Sequence, residues 1–236
     1  MSKTLTIDQN TNDSFPVSIS THVHPKALFV LVHGLGASQK DPTIVRLRNY
    51  LFSCGYDLLT YDLSGHGERG RNDPFDMPQH VEDLRSIVES VRHMYKKIYL
   101  AGGSMGALVA TITSIQSPTV SGVCAINGFF AIGLPERNYK KIYLRFRLAA
   151  MVNARVRTYW VFVKRWMRPE LCMKPMLVLS GEKDADIPTL ESLRWYQRLR
   201  CKKKFEMIRN ADHKLSTQAM IDATGKKIIR WVQNLA

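Results

Sequence analysis

The sequence predicts an α/β protein with a mostly parallel central sheet and helices on both faces. Short apolar runs alternate along the chain with segments whose apolar residues recur at helical spacing. This alternation is typical of parallel strands joined by helices, which then cover the two faces of the sheet. A length of 236 residues and a hydrophobic fraction of 45% favour a single domain, residues 1–236, with a large core.

Local signals place the elements in order. Asp41 and Pro42 predict a helix N-terminus, because Asp caps free first-turn amides and Pro suits the first helical position, and Gly55 ends that helix after Cys54. The predicted strands are Ala27–Val32, Tyr56–Asp62, Ile98–Ala101, Val120–Asn127, Met176–Gly181 and Lys204–Arg209. The other predicted helices are Gln79–Tyr95, one beginning at Ala107, Thr189–Leu199 and one ending at Leu235. The polar residues Met1–Asp13 lack the apolar region of a secretory signal, and no membrane-spanning helix is predicted.

The stretch Gly102–Gly106 has the pattern G-x-S-x-G between a predicted strand and a predicted helix. A sharp turn of this kind holds its Ser in a strained conformation and needs small residues around it. The hydroxyl of Ser104 then projects toward solvent, beside the free amides of a helix N-terminus. Ser104 is therefore the candidate nucleophile.

A serine hydroxyl needs a base, and the base needs an orienting partner. Asp184 follows the predicted strand Met176–Gly181, and His213 follows the predicted strand Lys204–Arg209. Asp186 also lies close enough along the chain to compete with Asp184 for the acid role. The chain order Ser, Asp, His fits three members that each follow a strand of a parallel sheet.

A fourth element precedes these three. The apolar run Ala27–Val32 ends in His33-Gly34-Leu35-Gly36, which predicts a turn whose backbone approaches the substrate closely. The N–H groups of Leu35 and Met105 are the predicted donors of an oxyanion hole.

These motifs together resemble the α/β-hydrolase superfamily, and within it the monoacylglycerol lipase, esterase and serine aminopeptidase group. The resemblance rests on the turn after Val32, on Tyr61–Gly67, on the Ser104 turn, on Gly181–Pro188 and on Asn210–His213. It implies an α/β-hydrolase fold, with Ser104 as nucleophile, Asp184 as acid and His213 as base. The spacing from Gly181 in this family favours Asp184 over Asp186.

The segment at about 129–171 lies where this superfamily carries a small helical cap over its active site. Residues 137–168 contain ten Lys or Arg and no Asp or Glu, interleaved with aromatic residues at helical spacing. We expect two amphipathic helices here, and the predicted substrate-binding side chains are Tyr139, Tyr143, Phe146 and Trp160. The aromatic faces pack on the core in the simpler interpretation, and the charges are solvated. The alternative is that the excess charge attracts an anionic substrate or an anionic membrane surface.

The predicted activity is hydrolysis of a carboxylic ester, either a small acyl ester or a monoacylglycerol-like lipid, through an acyl-enzyme. Thioesterases, peptidases and acyltransferases would share the same triad, and so would a slow ligand-binding receptor on this fold. No cofactor, no metal site and no nucleic-acid partner are expected, because no motif for them is present. The scattered Cys54, Cys124, Cys172 and Cys201 favour reduced thiols and a cytoplasmic location.

Overall fold

An eight-stranded, mostly parallel sheet organises the molecule, with the strand order β1-β2-β4-β3-β5-β6-β7-β8. The computed structural model describes residues 2–8, 14–70, 74–130, 151 and 153–235. The strands are β1 Ser2–Asp8, β2 Ser14–Ser20, β3 Leu28–Val32, β4 Asp57–Tyr61, β5 Ile98–Gly103, β6 Gly122–Ile126, β7 Met176–Gly181 and β8 Lys203–Ile208. The pairings β1 with β2 and β2 with β4 are antiparallel, and all the others are parallel.

Helices cover both faces of the sheet, as the sequence predicts. Those in the described part of the chain are α1 Pro42–Ser53, α2 Met77–Val91, α3 Met105–Gln116, α4 Ala154–Trp166, α5 Thr189–Arg198 and α6 Gln218–Gln233. One core cluster joins the sheet to α2, α3, α4 and α5, and a second joins it to α1 and α6. Strands β3, β4, β6 and β7 are buried along their whole length, as expected where both faces are covered.

The predicted helices and strands that fall within the described residues are confirmed apart from shifts of a few residues at their ends, and the first of the two predicted cap helices lies outside these residues. Asp41 caps α1 as predicted, with its side chain accepting a hydrogen bond from the Thr43 N–H at 2.9 Å. The hairpin of β1 and β2 was not predicted. It extends the sheet at one edge, through backbone pairing from Ser2 with Ser20 to Asp8 with Ser14.

Helix α4 corresponds to the second amphipathic helix of the predicted cap. Its buried residues are Val156, Tyr159 and Val163, and it packs against α2 and α3. The Tyr159 ring meets Phe75 edge-on, with the centroids 6.1 Å apart. This half of the insertion therefore belongs to the helical layer on one face of the sheet.

The buried imidazole of His80 on α2 makes the protein sensitive to acid. Its Nε2 donates to the Pro74 carbonyl at 3.2 Å, and its Nδ1 has no hydrogen-bond partner among the described residues. Burial lowers the pKa of His80 to about 4, from an ordinary value of 6.5. The folded state therefore excludes a proton that the unfolded chain accepts.

We expect the free energy of unfolding to fall as the pH drops below 6.5 and to continue falling until about pH 4. The stabilisation by neutral His80 is complete above pH 6.5, and about 2 kcal/mol of it is lost by about pH 5. Urea unfolding at neutral pH and in mild acid measures this loss. The variant His80→Phe should lose about 2 kcal/mol less than the native chain over the same pH interval. An equal loss in both proteins would assign the acid sensitivity to other groups.

Candidate active site

Polar residues follow neighbouring strands at the carboxyl edge of the sheet. Ser104 comes directly after β5, Asn127 directly after β6, Asp184 shortly after β7, and His213 lies in the turn after β8. Strands β5, β6, β7 and β8 are consecutive in the sheet. Because parallel strands end at the same edge, the topology brings these loops together.

Ser104 has a strained backbone at the turn from β5 into α3. Its φ is 53° and its ψ is −117°, a combination that non-glycine residues rarely adopt. Its N–H donates to the Ile126 carbonyl at 2.9 Å, which fixes the turn to the end of β6. Side chains at Gly102 or Gly106 would overlap backbone atoms, so the tight turn requires glycine at both positions.

Asp184 and His213 form a hydrogen-bonded pair. Asp184 Oδ2 lies 2.8 Å from His213 Nδ1, and the carboxylate is fully buried. The other carboxylate oxygen accepts the N–H groups of Asp186 at 2.9 Å and Ile187 at 2.8 Å, which holds the Asp184 side chain in place. A carboxylate facing Nδ1 favours the proton on that nitrogen, so Nε2 is left as the acceptor. The competing Asp186 side chain is exposed.

The electrostatics of the pair determine when the imidazole is neutral. Burial lowers the pKa of His213, but the hydrogen bond and charge of Asp184 outweigh burial, assisted by the charges of Asp186 and Asp212. The pKa of His213 is therefore raised above its ordinary value of 6.5. A reaction that needs the neutral imidazole will slow as the pH falls through this raised pKa.

The loop after β3 lies against Ser104. A Cβ atom at Gly34 would sit 3.2 Å from Ser104 Cβ and 3.8 Å from its Oγ. His33 Nε2 accepts the Leu63 N–H at 3.0 Å, so His33 Nδ1 carries the proton and donates to the Gly34 carbonyl at 2.8 Å. In a planar trans peptide the N–H points opposite to the carbonyl, so the Leu35 N–H is directed away from the imidazole.

Asn127 is a site residue that the sequence reasoning missed. Its side-chain amide donates to the carbonyls of His213 at 2.9 Å and Asp212 at 3.3 Å, and its Oδ1 accepts the Gly181 N–H at 2.7 Å. Asn127 is 1% exposed and has a φ of 47°. One side chain therefore links the end of β7 to the backbone of His213. The available signal was a polar residue at the end of a buried predicted strand, next to the Ser104 turn.

Replacing Asn127 by Asp should misplace His213, because a carboxylate oxygen would then face two carbonyl oxygens. We expect kcat for ester hydrolysis to fall roughly 10- to 100-fold, with KM within about twofold, since the lost hydrogen bonds contribute about 1–3 kcal/mol. The acid limb of the pH–rate profile should also shift to higher pH, because an added negative charge raises the pKa of His213. Steady-state kinetics over a pH series measures both effects.

Asn210→Gly is the matched control for this experiment. Asn210 also has a positive φ, 56°, but its side chain is exposed and lies outside the His213 contact. We expect near-native kinetics for this variant. An Asn127→Asp protein with unchanged kcat and an unchanged acid limb would refute a positioning role.

Of the four predicted substrate-binding residues, only Trp160 lies among the described residues. Trp160 is half-buried and packs against the core cluster that includes α2 and α3. Tyr139, Tyr143 and Phe146 lie outside the described residues, so their role stays a prediction. The cysteines at positions 54, 124, 172 and 201 are free thiols, as expected.

Asp184, Asp186 and His213 also form the one group, among the described residues, with ligand-type atoms close enough to hold a cation. One atom from each side chain lies within 4.8 Å of the others. This group contains the Asp184 and His213 pair, whose hydrogen bond already engages the imidazole Nδ1. The expectation that the site uses no metal stays an expectation.

Comparison with models of protein families identifies the family of this chain. The model of the family described as serine aminopeptidase, S33, matches residues 23–170, which is more than half of the chain. The chain belongs to this family. Membership confirms the α/β-hydrolase family and fold that the resemblance implied. No helix among the described residues has the length and apolar character needed to cross a membrane.

Curated relatives include enzymes that transfer acetyl groups to alcohols. The chain is 26% identical over 136 residues to a probable alcohol acetyltransferase of Wickerhamomyces anomalus, a match covering 57% of this chain and 39% of that protein. It is 29% identical over 133 residues to ethanol acetyltransferase 1 of Wickerhamomyces ciferrii, covering 52% of this chain and 30% of that protein. The chain thus spans well under half the length of these relatives.

Solved structures share the fold over nearly the whole chain. A dienelactone hydrolase from Anabaena variabilis superposes with a TM-score of 0.75 at 17% identity, covering 99% of this chain and 97% of that one. The Est1E protein of Butyrivibrio proteoclasticus with bound ferulic acid gives a TM-score of 0.78 at 15% identity, covering 97% and 99%. The Pyrococcus furiosus esterase Pf2001 gives 0.78 at 17% identity, covering 99% and 91%. At these identities the likeness establishes the fold alone.

Proposed function

We propose that this protein is a serine hydrolase that cleaves carboxylic esters through an acyl-enzyme. The observation that carries the proposal is the pairing of His213 with buried Asp184 at the same sheet edge as the strained Ser104. A hydroxyl on a strained turn, an imidazole and a buried carboxylate are the three groups that acyl transfer requires.

In the proposed mechanism each residue has one task. His213 Nε2 takes the proton of the Ser104 hydroxyl while Oγ attacks the ester carbonyl carbon. Asp184 keeps the imidazole in the tautomer with the proton on Nδ1, and it stabilises the imidazolium that forms. The protonated His213 then gives its proton to the departing alkoxide, which leaves as the alcohol. Water, deprotonated by the same imidazole, releases the carboxylic acid and restores Ser104.

We propose that the backbone N–H groups of Leu35 and Met105 donate hydrogen bonds to the oxyanion of the tetrahedral intermediate. Met105 opens α3, where the first N–H groups have no partner within the helix. Leu35 lies in the loop that packs against Ser104, and the carbonyl preceding it is held by His33. One donor of this kind typically stabilises the transition state by about 3 kcal/mol.

Transfer of the acyl group to an alcohol is the second candidate function. The curated relatives named as ethanol or alcohol acetyltransferases support it. The acyl-enzyme is common to both reactions, and the acceptor decides between them: water gives an acid, and ethanol gives an ethyl ester. A thioester donor enters the same intermediate, because the thiolate replaces the alkoxide as the leaving group.

Product analysis with defined acyl donors tests both candidates. The native chain should release p-nitrophenol from p-nitrophenyl acetate and from a longer acyl homologue, and Ser104→Ala should not. Adding ethanol should divert the acetyl group to ethyl acetate, measured by gas chromatography, if the acceptor site favours alcohol. Acetate as the sole product would support the hydrolase function and exclude the transferase function. A folded protein with no turnover of any ester or thioester would favour the receptor alternative over the proposed function.

A further inference from the structure

A basic face lies at the edge of the sheet opposite Ser104. This amino-edge face consists of the segments where β3, β5, β6, β7 and β8 begin and where the covering helices end. Main-chain hydrogen bonds join neighbouring strand starts: Leu28 N–H to Lys97 O at 3.1 Å, Ser121 N–H to Ile98 O at 2.8 Å, Val123 N–H to Pro175 O at 2.9 Å, and Met176 N–H to Lys202 O at 2.9 Å. Because neighbouring strands are about 4.8 Å apart, these segments form one continuous strip.

Lysines of this face cap the C-termini of helices. Lys26 Nζ donates to the Cys54 carbonyl after α1 at 2.8 Å, and Lys174 Nζ donates to the Pro118 carbonyl after α3 at 2.7 Å. Lys203 Nζ donates to the Tyr196 carbonyl at 2.9 Å and to the Leu199 carbonyl at 2.7 Å, at the end of α5. A cation suits the negative end of a helix dipole.

The amino-edge face carries more cationic side chains than the lysines that cap helices. Lys96, Lys97 and Arg200 are exposed beside the capping lysines. The nearby acidic side chains of Glu89 and Glu170 are paired with Arg92 and Arg168, each at 3.0 Å. Asp57, at the start of β4, is buried and accepts hydrogen bonds from His22 and Tyr95. The face therefore presents a net positive charge to solvent.

Large apolar side chains project from the same face. Val23 is 89% exposed, Met173 is 77% exposed and Met94 is 65% exposed. Val23 and Met173 are the two most exposed large hydrophobic side chains that the structure describes. Each is followed by a lysine within three positions of the chain: Lys26 after Val23, Lys96 after Met94, and Lys174 after Met173. Exposed apolar groups placed among cations indicate a partner that accepts both.

We infer that the amino-edge face docks on an anionic lipid bilayer. The cations match the negative surface of such a bilayer, which attracts clustered Lys and Arg side chains. The apolar side chains would enter the interface between headgroups and acyl chains. A nucleic acid would satisfy the cations alone and would leave Val23, Met94 and Met173 in water. Docking in this orientation turns the carboxyl edge, with Ser104, away from the lipid, and the inference does not depend on the proposed function.

Sedimentation with lipid vesicles tests the inference on the full chain at low salt. The protein should bind vesicles of phosphatidylserine and phosphatidylcholine, and it should not bind vesicles of phosphatidylcholine alone. The variant Lys96→Glu, Lys97→Glu, Arg200→Glu should reduce the partition coefficient at least about 100-fold. It leaves the capping lysines unchanged. The matched control Lys183→Glu, Arg209→Glu, Lys214→Glu makes the same change in net charge with exposed residues at the carboxyl edge, and it should bind like the native chain within about threefold.

A second variant keeps the test valid if the charge reversals disturb folding, which circular dichroism would reveal. Met94→Ser with Met173→Ser removes apolar contact without changing charge, and it should weaken vesicle binding roughly 10-fold or more. Absence of binding to anionic vesicles would overturn the inference. Equal losses in the two triple variants would also overturn it, because net charge alone would then explain binding. Binding to a DNA duplex without binding to vesicles would assign the face to nucleic acid instead.

Discussion

Replacing Ser104 by alanine is expected to lower kcat/KM for an acyl ester by about a million-fold. The proposed mechanism has no other nucleophile, and the remaining catalysis would come from the oxyanion donors and from binding alone. Steady-state rates with p-nitrophenyl acetate measure the loss. A fluorophosphonate probe should add one adduct to the mass of the native chain and none to Ser104→Ala.

Ser216→Ala serves as the control for this result. Ser216 is an exposed serine three residues after His213, and it contacts the Asp212 carboxylate through its backbone N–H at 3.0 Å and through its side chain. We expect this variant to be labelled and to turn over substrate like the native chain. A native protein that stays unlabelled while folded, or an adduct mapped to another serine, would contradict the assignment of Ser104.

Asp184→Asn is expected to lower kcat about 10,000-fold, the loss typical when an amide replaces the triad carboxylate. An amide at this position donates from its NH₂ or accepts only weakly, so it no longer fixes the proton on His213 Nδ1. The pKa of His213 should also fall, because the hydrogen bond and the charge of Asp184 are what raise it. Kinetics across a pH series would show both a lower plateau and an acid limb shifted to lower pH.

Asp186→Asn is the matched control, and it tests the competing acid predicted from the sequence. Asp186 is exposed, and its backbone N–H donates to Asp184, a contact that the substitution keeps. We expect a kcat within about threefold of the native value, because surface charges act weakly through water. If Asp186→Asn is the crippled variant and Asp184→Asn is active, the acid role belongs to Asp186.

The sequence predicted those features that local patterns encode. The order Ser104, Asp184, His213 and the Gly-flanked loop after Val32 were visible because each follows a predicted strand. For Ser104, Asp184 and the loop, that strand is a short apolar run bounded by turn residues, a pattern that favours a buried strand. Asp41 was visible as a cap because its hydrogen bond lies within its own turn.

Features that depend on tertiary contacts were not predicted. The strand Ser2–Asp8 is stabilised by pairing with β2, and its local sequence is polar. The helical spacing of aromatic residues predicted α4 as an amphipathic helix, and Tyr159 and Val163 are buried on it, but periodicity does not specify the partner of that face. The role of Asn127 depends on carbonyls that lie 85 and 86 residues away in the chain. No local pattern records such a contact.

The positive φ of Ser104 lowers the thermal stability of the fold, whereas the proposed reaction needs a side-chain hydroxyl at this position. At a φ of 53° every residue with a Cβ atom is strained, and glycine is not. Of two inactive variants, Ser104→Gly should therefore melt at a higher temperature than Ser104→Ala, by a few degrees for a difference of about 1 kcal/mol. Selection for thermostability alone would remove the hydroxyl at this position. A serine at this turn therefore lowers the thermal stability of the fold relative to glycine.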